Sequence, residues 1–275
     1  MPADGHSSRK GTSFRALHQR DRAFIIPNPW DVGTARLLQS LGFEALATTS
    51  AGFAFSMGKP DGAVDRETMV GHAAALVAAT HLPVSADLEN GYGDDPSRVA
   101  ETIRLAANVG LAGCSIEDVG ASRKQAPYEL SLAAERIRAA AEVAHSLPFP
   151  FMLTARAENY LIGRPDIRDT IARLQTYQNA GADVLFAPGL KSRQDIITAV
   201  RSVDRPVNVI MGLQGVQLNL TELSEIGVKR VSVGSALSRA ALGAFLRGAR
   251  EMQADGTFTF AENAVKYADL NAMFT

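Results

Sequence analysis

The stretch Pro83-Val84-Ser85-Ala86-Asp87-Leu88-Glu89-Asn90-Gly91-Tyr92-Gly93 decides the reading of this chain. A short apolar run ends in two carboxylates and then in glycines. A second run, Gly113-Cys114-Ser115-Ile116-Glu117-Asp118, also ends in paired acids. Apolar runs of this length, bounded by turn residues, read as buried strands. Carboxylates gathered at strand ends are the pattern of a site at the mouth of an α/β barrel, where barrel enzymes place their chemistry.

Working outward, similar runs recur at residues 23–27, 45–49, 83–87, 113–117, 151–156, 183–187, 207–211 and 230–234. Helical patterns lie between them at 32–41, 65–80, 96–109, 132–145, 167–180, 192–202, 218–226 and 236–253. Eight β-α units in order predict an α/β fold, a (β/α)8 TIM barrel, as one domain over residues 11–275. A doubly wound sheet is the alternative. The even unit size and the acids on several strand ends favour the barrel. Asp95-Pro96 reads as a helix N-cap with proline in the first turn. Gly42, Gly110, Gly181 and Gly227 each stand where a helix must end before a strand. Residues 1–10 read as a disordered lead-in. Residues 258–275 hold one more helical pattern, expected to pack on the barrel or on a second subunit.

Composition narrows the function. The 275 residues suit one barrel. A net charge of −1 provides no basic footprint for nucleic acid or an anionic membrane. No apolar stretch approaches the roughly 18 residues that span a bilayer. The polar N-terminus lacks a signal core. The single cysteine, Cys114, excludes an internal disulfide and a cysteine-rich zinc site, which fits the cytoplasm.

Strand alternation sorts the candidate residues. Val84, Ala86, Cys114 and Ile116 should face the helices. Ser85, Asp87, Glu89, Ser115 and Glu117 then share the lumenal side. Hard oxygen ligands of this kind suit Mg2+ or Mn2+. Arg156 ends the fifth strand with the parity of Met152 and Thr154, placed to clamp a carboxylate or phosphate. Thr48-Thr49-Ser50-Ala51-Gly52 exposes a hydroxyl and backbone N–H groups to an anionic oxygen. Asn208 is polar inside an apolar strand, so a ligand or a neighbouring strand must satisfy it. Gly234-Ser235 opens the last helix, a place where barrels bind anions. No lysine lies within a strand, which argues against a Schiff-base aldolase.

Together these residues resemble the isocitrate lyase/phosphoenolpyruvate mutase superfamily over nearly the whole chain. The similarity begins at Asn28-Pro29-Trp30-Asp31-Val32-Gly33-Thr34-Ala35. It runs through Ser50-Ala51-Gly52, Gly58-Lys59-Pro60-Asp61, Asp87-Leu88-Glu89-Asn90-Gly91-Tyr92-Gly93, Ser115-Ile116-Glu117-Asp118 and Thr154-Ala155-Arg156. The resemblance implies a homodimer or homotetramer whose eighth helix swaps between subunits. It implies Mg2+ or Mn2+ held largely through water by Asp61, Asp87, Glu89 and Glu117. It implies a small 2-oxo acid such as oxaloacetate, 2-oxoglutarate or pyruvate, reacting through an enolate. Ser50, Ala51 and Gly52 would hold that substrate, Asp87 and Arg156 would bind it, Trp30 would line the pocket, and Asn208 would lie near the reacting end. Arg156, Glu117 and Lys124 are the implied catalytic set, with Lys124 on a gating loop.

Two departures shape the reading. Residues 119–128, Val-Gly-Ala-Ser-Arg-Lys-Gln-Ala-Pro-Tyr, lack the Cys-Gly-His of the isocitrate and methylisocitrate lyases and the Lys-x-Asn of phosphonate enzymes. Glu89 stands where most members carry aspartate. The expectation is therefore a lyase, decarboxylase or hydrolase of oxaloacetate-like or substituted malate substrates. A 2-oxo acid binding protein without turnover and a phosphonopyruvate or carboxyphosphonoenolpyruvate phosphonomutase are the alternatives.

Overall fold

Eight short parallel strands form the frame in a computed structural model that describes residues 5–120 and 126–274. They are β1 Phe24–Ile26, β2 Leu46–Ala47, β3 Val84–Asp87, β4 Gly113–Glu117, β5 Met152–Arg156, β6 Val184–Phe186, β7 Val207–Ile210 and β8 Arg230–Ser232. They pair in the order β1-β8-β7-β6-β5-β4-β3-β2. The ring is nearly closed at the β1/β2 seam, where the Ala47 N–H donates to the Pro27 carbonyl at 3.0 Å. Asn28 Nδ2 adds a bond to the Thr48 carbonyl at 3.0 Å. This is the (β/α)8 barrel that the sequence predicts.

The helices are α1 Gly5–His18, α2 Val32–Ser40, α3 Ser50–Ser56, α4 Arg66–Ala79, α5 Pro96–Asn108, α6 Leu130–Ser146, α7 Ile167–Asn179, α8 Arg193–Arg201, α9 Leu220–Ile226, α10 Ala236–Asp255 and α11 Tyr267–Ala272. Local chemistry sets their ends. The Asp95 carboxylate accepts from the Ser97 N–H one residue after Pro96. Asn219 and Glu222 form a reciprocal capping box on α9. Gly181 ends the α7 connection at φ 106°, and a Cβ there would lie 2.8 Å from Ala141 Cβ. The core between strands and helices holds Val84, Ala86, Cys114 and Ile116, the residues assigned outward by alternation. Burial pushes the Cys114 thiol far up, so it is a packing residue and no nucleophile.

Residues 5–10 depart from the expected disordered lead-in, since they are the first turns of α1; residues 1–4 lie outside the described residues. Lys10 Nζ donates to the carbonyls of Val77 at 3.2 Å and Thr80 at 2.9 Å, at the end of α4. Phe14 and Leu17 pack with Phe24, Ala112, Met152 and Val184 to close the barrel bottom. The polar sequence of α1 hides this because few of its residues are apolar.

α10 differs from the other helices. Only Ser238 and Gly248 are buried along it, and Leu242, Phe245 and Leu246 are exposed, Phe245 by 69%. The tail folds back, with Phe260 against Gly248. Among the described residues no helix is long and apolar enough to cross a membrane.

Candidate active site

Strand alternation delivers one set of side chains to the C-terminal mouth. Ser50, Ala51, Asp61, Ser85, Asp87, Ser115, Arg156 and Asn208 line a cavity of about 190 Å³, with Gly234 and Ser235 at its rim. Ser50 Oγ lies 2.9 Å from Asp87 Oδ2 and 3.4 Å from Asp61 Oδ1, so one hydroxyl touches both acids. The Ser50 N–H also faces Asp87 Oδ2 at 3.4 Å. Thr48 Oγ1 accepts from the Asp87 N–H at 2.9 Å and braces the end of β3.

Arg156 sits inside an arc of acids. Its Nη1 lies 2.9 Å from Asp87 Oδ1, its Nη2 3.3 Å from Glu117 Oε2, and its Nε 2.8 Å from Glu158 Oε1. The Phe186 ring lies beneath the guanidinium at 5.3 Å. Burial alone would lower the pKa of Arg156. The charges of Glu158, Asp87 and Glu117 reverse that and hold it well above its ordinary range. Burial also raises Glu158, against the pull of Arg156.

The lumenal parity stops at Asp87. Glu89 takes φ 50° and Tyr92 φ 61°, left-handed conformations that non-glycine residues adopt only when their surroundings impose them. Glu89 is therefore buried beside the mouth and not in the cavity wall. Its carbonyl accepts from the Glu117 N–H at 2.9 Å, which extends the β3/β4 pairing past the turn. Tyr92 is half-buried nearby, its pKa raised first by desolvation and then by Glu89, Asp87 and Glu117.

Other expected residues take different places. Glu117 meets Arg156 but does not line the cavity. Trp30 and Gly52 lie behind the wall. A Cβ on Gly52 would come within 2.6 Å of Thr49 Cγ2 and 3.2 Å of Trp30 Cβ, so this glycine permits close packing. Its N–H donates to Thr49 Oγ1 at 3.2 Å. The N–H groups of Val233 and Gly234 both donate to Asn28 Oδ1 at 2.9 Å. Lys124 lies outside the described residues. The stems of its loop are pinned: the Tyr128 N–H donates to the Asp118 carbonyl at 2.8 Å, and Asn90 Nδ2 to Tyr128 Oη at 3.0 Å. Arg136 lies under the Tyr128 ring at 4.4 Å and donates to the carbonyls of Asn90, Gly93 and Asp94.

Among the described residues no three His, Cys, Asp or Glu side chains group closely enough to ligate a metal directly. The hard oxygens of Asp61 and Asp87, joined through Ser50, suit a divalent cation that keeps much of its water. Alternation also cannot reveal Arg230 and Ser232, which line the cavity from β8. An arginine in an apolar strand was the available signal.

A parallel barrel with acids, a hydroxyl and a buried arginine at its C-terminal mouth defines a barrel protein equipped to hold a small acid. The chain belongs to the phosphoenolpyruvate phosphomutase family, whose model matches residues 14–253, within the isocitrate lyase/phosphoenolpyruvate mutase superfamily. It is 36% identical over 262 residues to an uncharacterized protein of Mycobacterium tuberculosis (strain ATCC 25618 / H37Rv), covering 94% of this chain and 95% of that one. A crystal structure from Burkholderia cenocepacia J2315, named only provisionally as a lyase/mutase, is 60% identical with a TM-score of 0.96, covering 99% and 98% of the two chains. The crystal structure of 2,3-dimethylmalate lyase is 26% identical with a TM-score of 0.85, covering 96% and 94%.

Proposed function

We propose that this protein is a Mg2+-dependent enzyme that makes or breaks a C–C bond next to the carbonyl of a small 2-oxo acid, passing through an enolate. The observation that carries the reading is the contact of one hydroxyl, Ser50, with both Asp61 and Asp87 beside Arg156. Asp61 and Asp87 would hold the cation through water, with Glu89 and Glu117 as outer acids. When bound, the cation supplies positive charge to the oxygens of the oxo acid as negative charge develops there. Arg156 would hold the substrate carboxylate, and the arc of acids fixes its guanidinium in place. Ser50 and the Ala51 N–H would orient the oxo-acid end. Lys124 would act as the gating residue that the resemblance implies.

The substrates favoured are oxaloacetate-like or substituted malate acids, because residues 119–128 carry no cysteine or histidine to serve as a lyase acid. Phosphonate chemistry is the second reading. It is favoured by the name of the matching family and by a 33% identical structure named provisionally as a phosphonomutase. The exposed α10 and tail would pair with a second copy, giving a homodimer or homotetramer in the cytoplasm. The test incubates the protein with Mg2+ and oxaloacetate, 2,3-dimethylmalate, methylisocitrate or phosphonopyruvate, and follows products by NMR. C–C cleavage that stops in excess chelator is the expected result. Turnover undiminished by chelator would sink the metal reading, and binding without turnover would favour a binding protein.

A further inference from the structure

A second arginine lies deeper in the barrel and is treated differently from Arg156. Arg230 opens β8 and runs into the lumen, where it lines the same cavity. Its Nε donates to Asn208 Oδ1 at 2.9 Å and its Nη2 to Thr154 Oγ1 at 3.0 Å. Its Nη1 faces His18 Nε2 at 3.5 Å. All three partners are neutral. His18 Nδ1 lies 2.8 Å from the Phe14 carbonyl, which can only accept, so Nδ1 carries the proton and Nε2 presents a lone pair to Arg230.

No carboxylate among the described residues acts on Arg230. Burial is the one influence on it and lowers its pKa to about 9, which still leaves a cation at neutral pH. A guanidinium has five N–H groups, and three partners face this one. A buried charge without a counter-ion costs stability, so its presence in a cavity wall calls for a ligand that repays it. Asn208 aims it: Asn208 Nδ2 donates to Ser232 Oγ at 3.0 Å, which turns Oδ1 toward Arg230.

The vertical spacing fits. Thr154, which Arg230 touches, stands two residues below Arg156 on the same face of β5, about 7 Å along the strand. A short diacid spans such a gap. We propose that Arg230 is the anion-recognition residue of the lumen, taking the second carboxylate of a dicarboxylic substrate whose reacting end sits at Ser50, Asp87 and Arg156. This deepens the reading of the mouth as a 2-oxo acid site and rests on it for the placement of the reacting end. It makes pyruvate-sized monoacids poor ligands.

The test measures binding by calorimetry in excess chelator, with succinate and butyrate as a diacid and monoacid of matched chain length. The wild type should bind succinate roughly tenfold or more tightly than butyrate. Arg230→Gln should erase that preference. Asn208→Asp, nearly isosteric, gives Arg230 an internal counter-ion; it should raise the melting temperature and also erase the preference. A wild type that binds both acids equally overturns the proposal. So does an Asn208→Asp protein that is more stable yet keeps the full preference, the outcome expected if Arg230 only braces the barrel. These are binding readouts, so absence of turnover on every oxo acid refutes the proposed reaction separately.

Discussion

Glu117 and Asp118 are neighbours in sequence and belong to different arginines. Glu117 faces the mouth and meets Arg156, together with Asp87 and Glu158. Asp118 faces the opposite way. Its carboxylate accepts from Arg173 Nη1 at 3.1 Å, from the Tyr177 hydroxyl and from the Glu158 N–H at 2.9 Å. Both clusters are buried and both pair arginine with acid. One opens on a cavity through Asp87 and Arg156 and gathers three acids around one arginine. The other is closed on every side, and each Asp118 oxygen has a fixed donor. Arginine-carboxylate chemistry therefore does not mark a site by itself. Access to a cavity and an excess of acids over arginine do.

Asp87→Ala attacks the open cluster. It removes the acid shared by Ser50 and Arg156, while Arg156 keeps Glu117 and Glu158. The expected result is a fall of roughly a thousandfold in kcat/KM with little change in melting temperature. Steady-state rates alongside thermal melts check both halves. Near-normal turnover would remove the mouth from the chemistry.

Asp118→Ala attacks the closed cluster. It leaves the Arg173 guanidinium, the Tyr177 hydroxyl and the Glu158 N–H short of an acceptor in the interior. The expected cost is about 3–5 kcal/mol of stability by urea unfolding, with kcat per folded molecule largely kept. A large loss of kcat in a protein of unchanged stability would break the separation between the clusters.

Much of this architecture was legible. Eight apolar runs located all eight strands because a parallel strand buried on both faces reads as an unbroken apolar stretch. Alternation correctly placed Asp87, Ser115 and Arg156 in the cavity wall. It failed at Glu89, where a left-handed residue ends the two-residue period, a backbone event that a glutamate does not advertise. α1 was hidden because its hold depends on Lys10 reaching carbonyls about 70 residues away in sequence. α3 was hidden because Ser50-Ala51-Gly52 reads as a loop, although Thr49 caps a short helix there. Asp118 could not be separated from Glu117 by composition. Only Tyr177 and Arg173, on a distant helix, define its role.

At the barrel bottom burial is opposed by no acid. His18 is lowered to about 3, first by burial and then by Arg230. The folded state keeps it neutral, while the unfolded chain protonates it near the ordinary histidine value. Its contribution is therefore complete above about pH 6.5 and is lost as pH falls toward 3. The slope is about 1.4 kcal/mol per pH unit. His72, stacked on Phe53 at 3.7 Å and lowered to about 4 by burial, loses stability in the same window. The informative measurement is thus the difference between wild type and His18→Gln in urea unfolding from pH 7 to 4. The variant should show the shallower slope, and equal slopes would mean that His18 is protonated in the folded state.

The smallest effect falls where the two clusters meet. The Tyr128 carbonyl accepts from Arg173 Nη1 at 3.0 Å, so the closed cluster holds the segment that leads into α6. The Tyr128 hydroxyl accepts from Asn90 Nδ2 and donates to Asp94 Oδ1, tying that segment to the turn after β3. Tyr128→Phe removes the hydroxyl and keeps both main-chain bonds and the ring over Arg136. The expected cost is about 1 kcal/mol in urea unfolding. If the segment is held mainly through its backbone, kcat stays within a few-fold of wild type. A tenfold fall in kcat at that small stability cost would show that the hydroxyl matters to the reaction beyond its hold on the turn after β3, and the closed cluster would then act on the reaction through Tyr128.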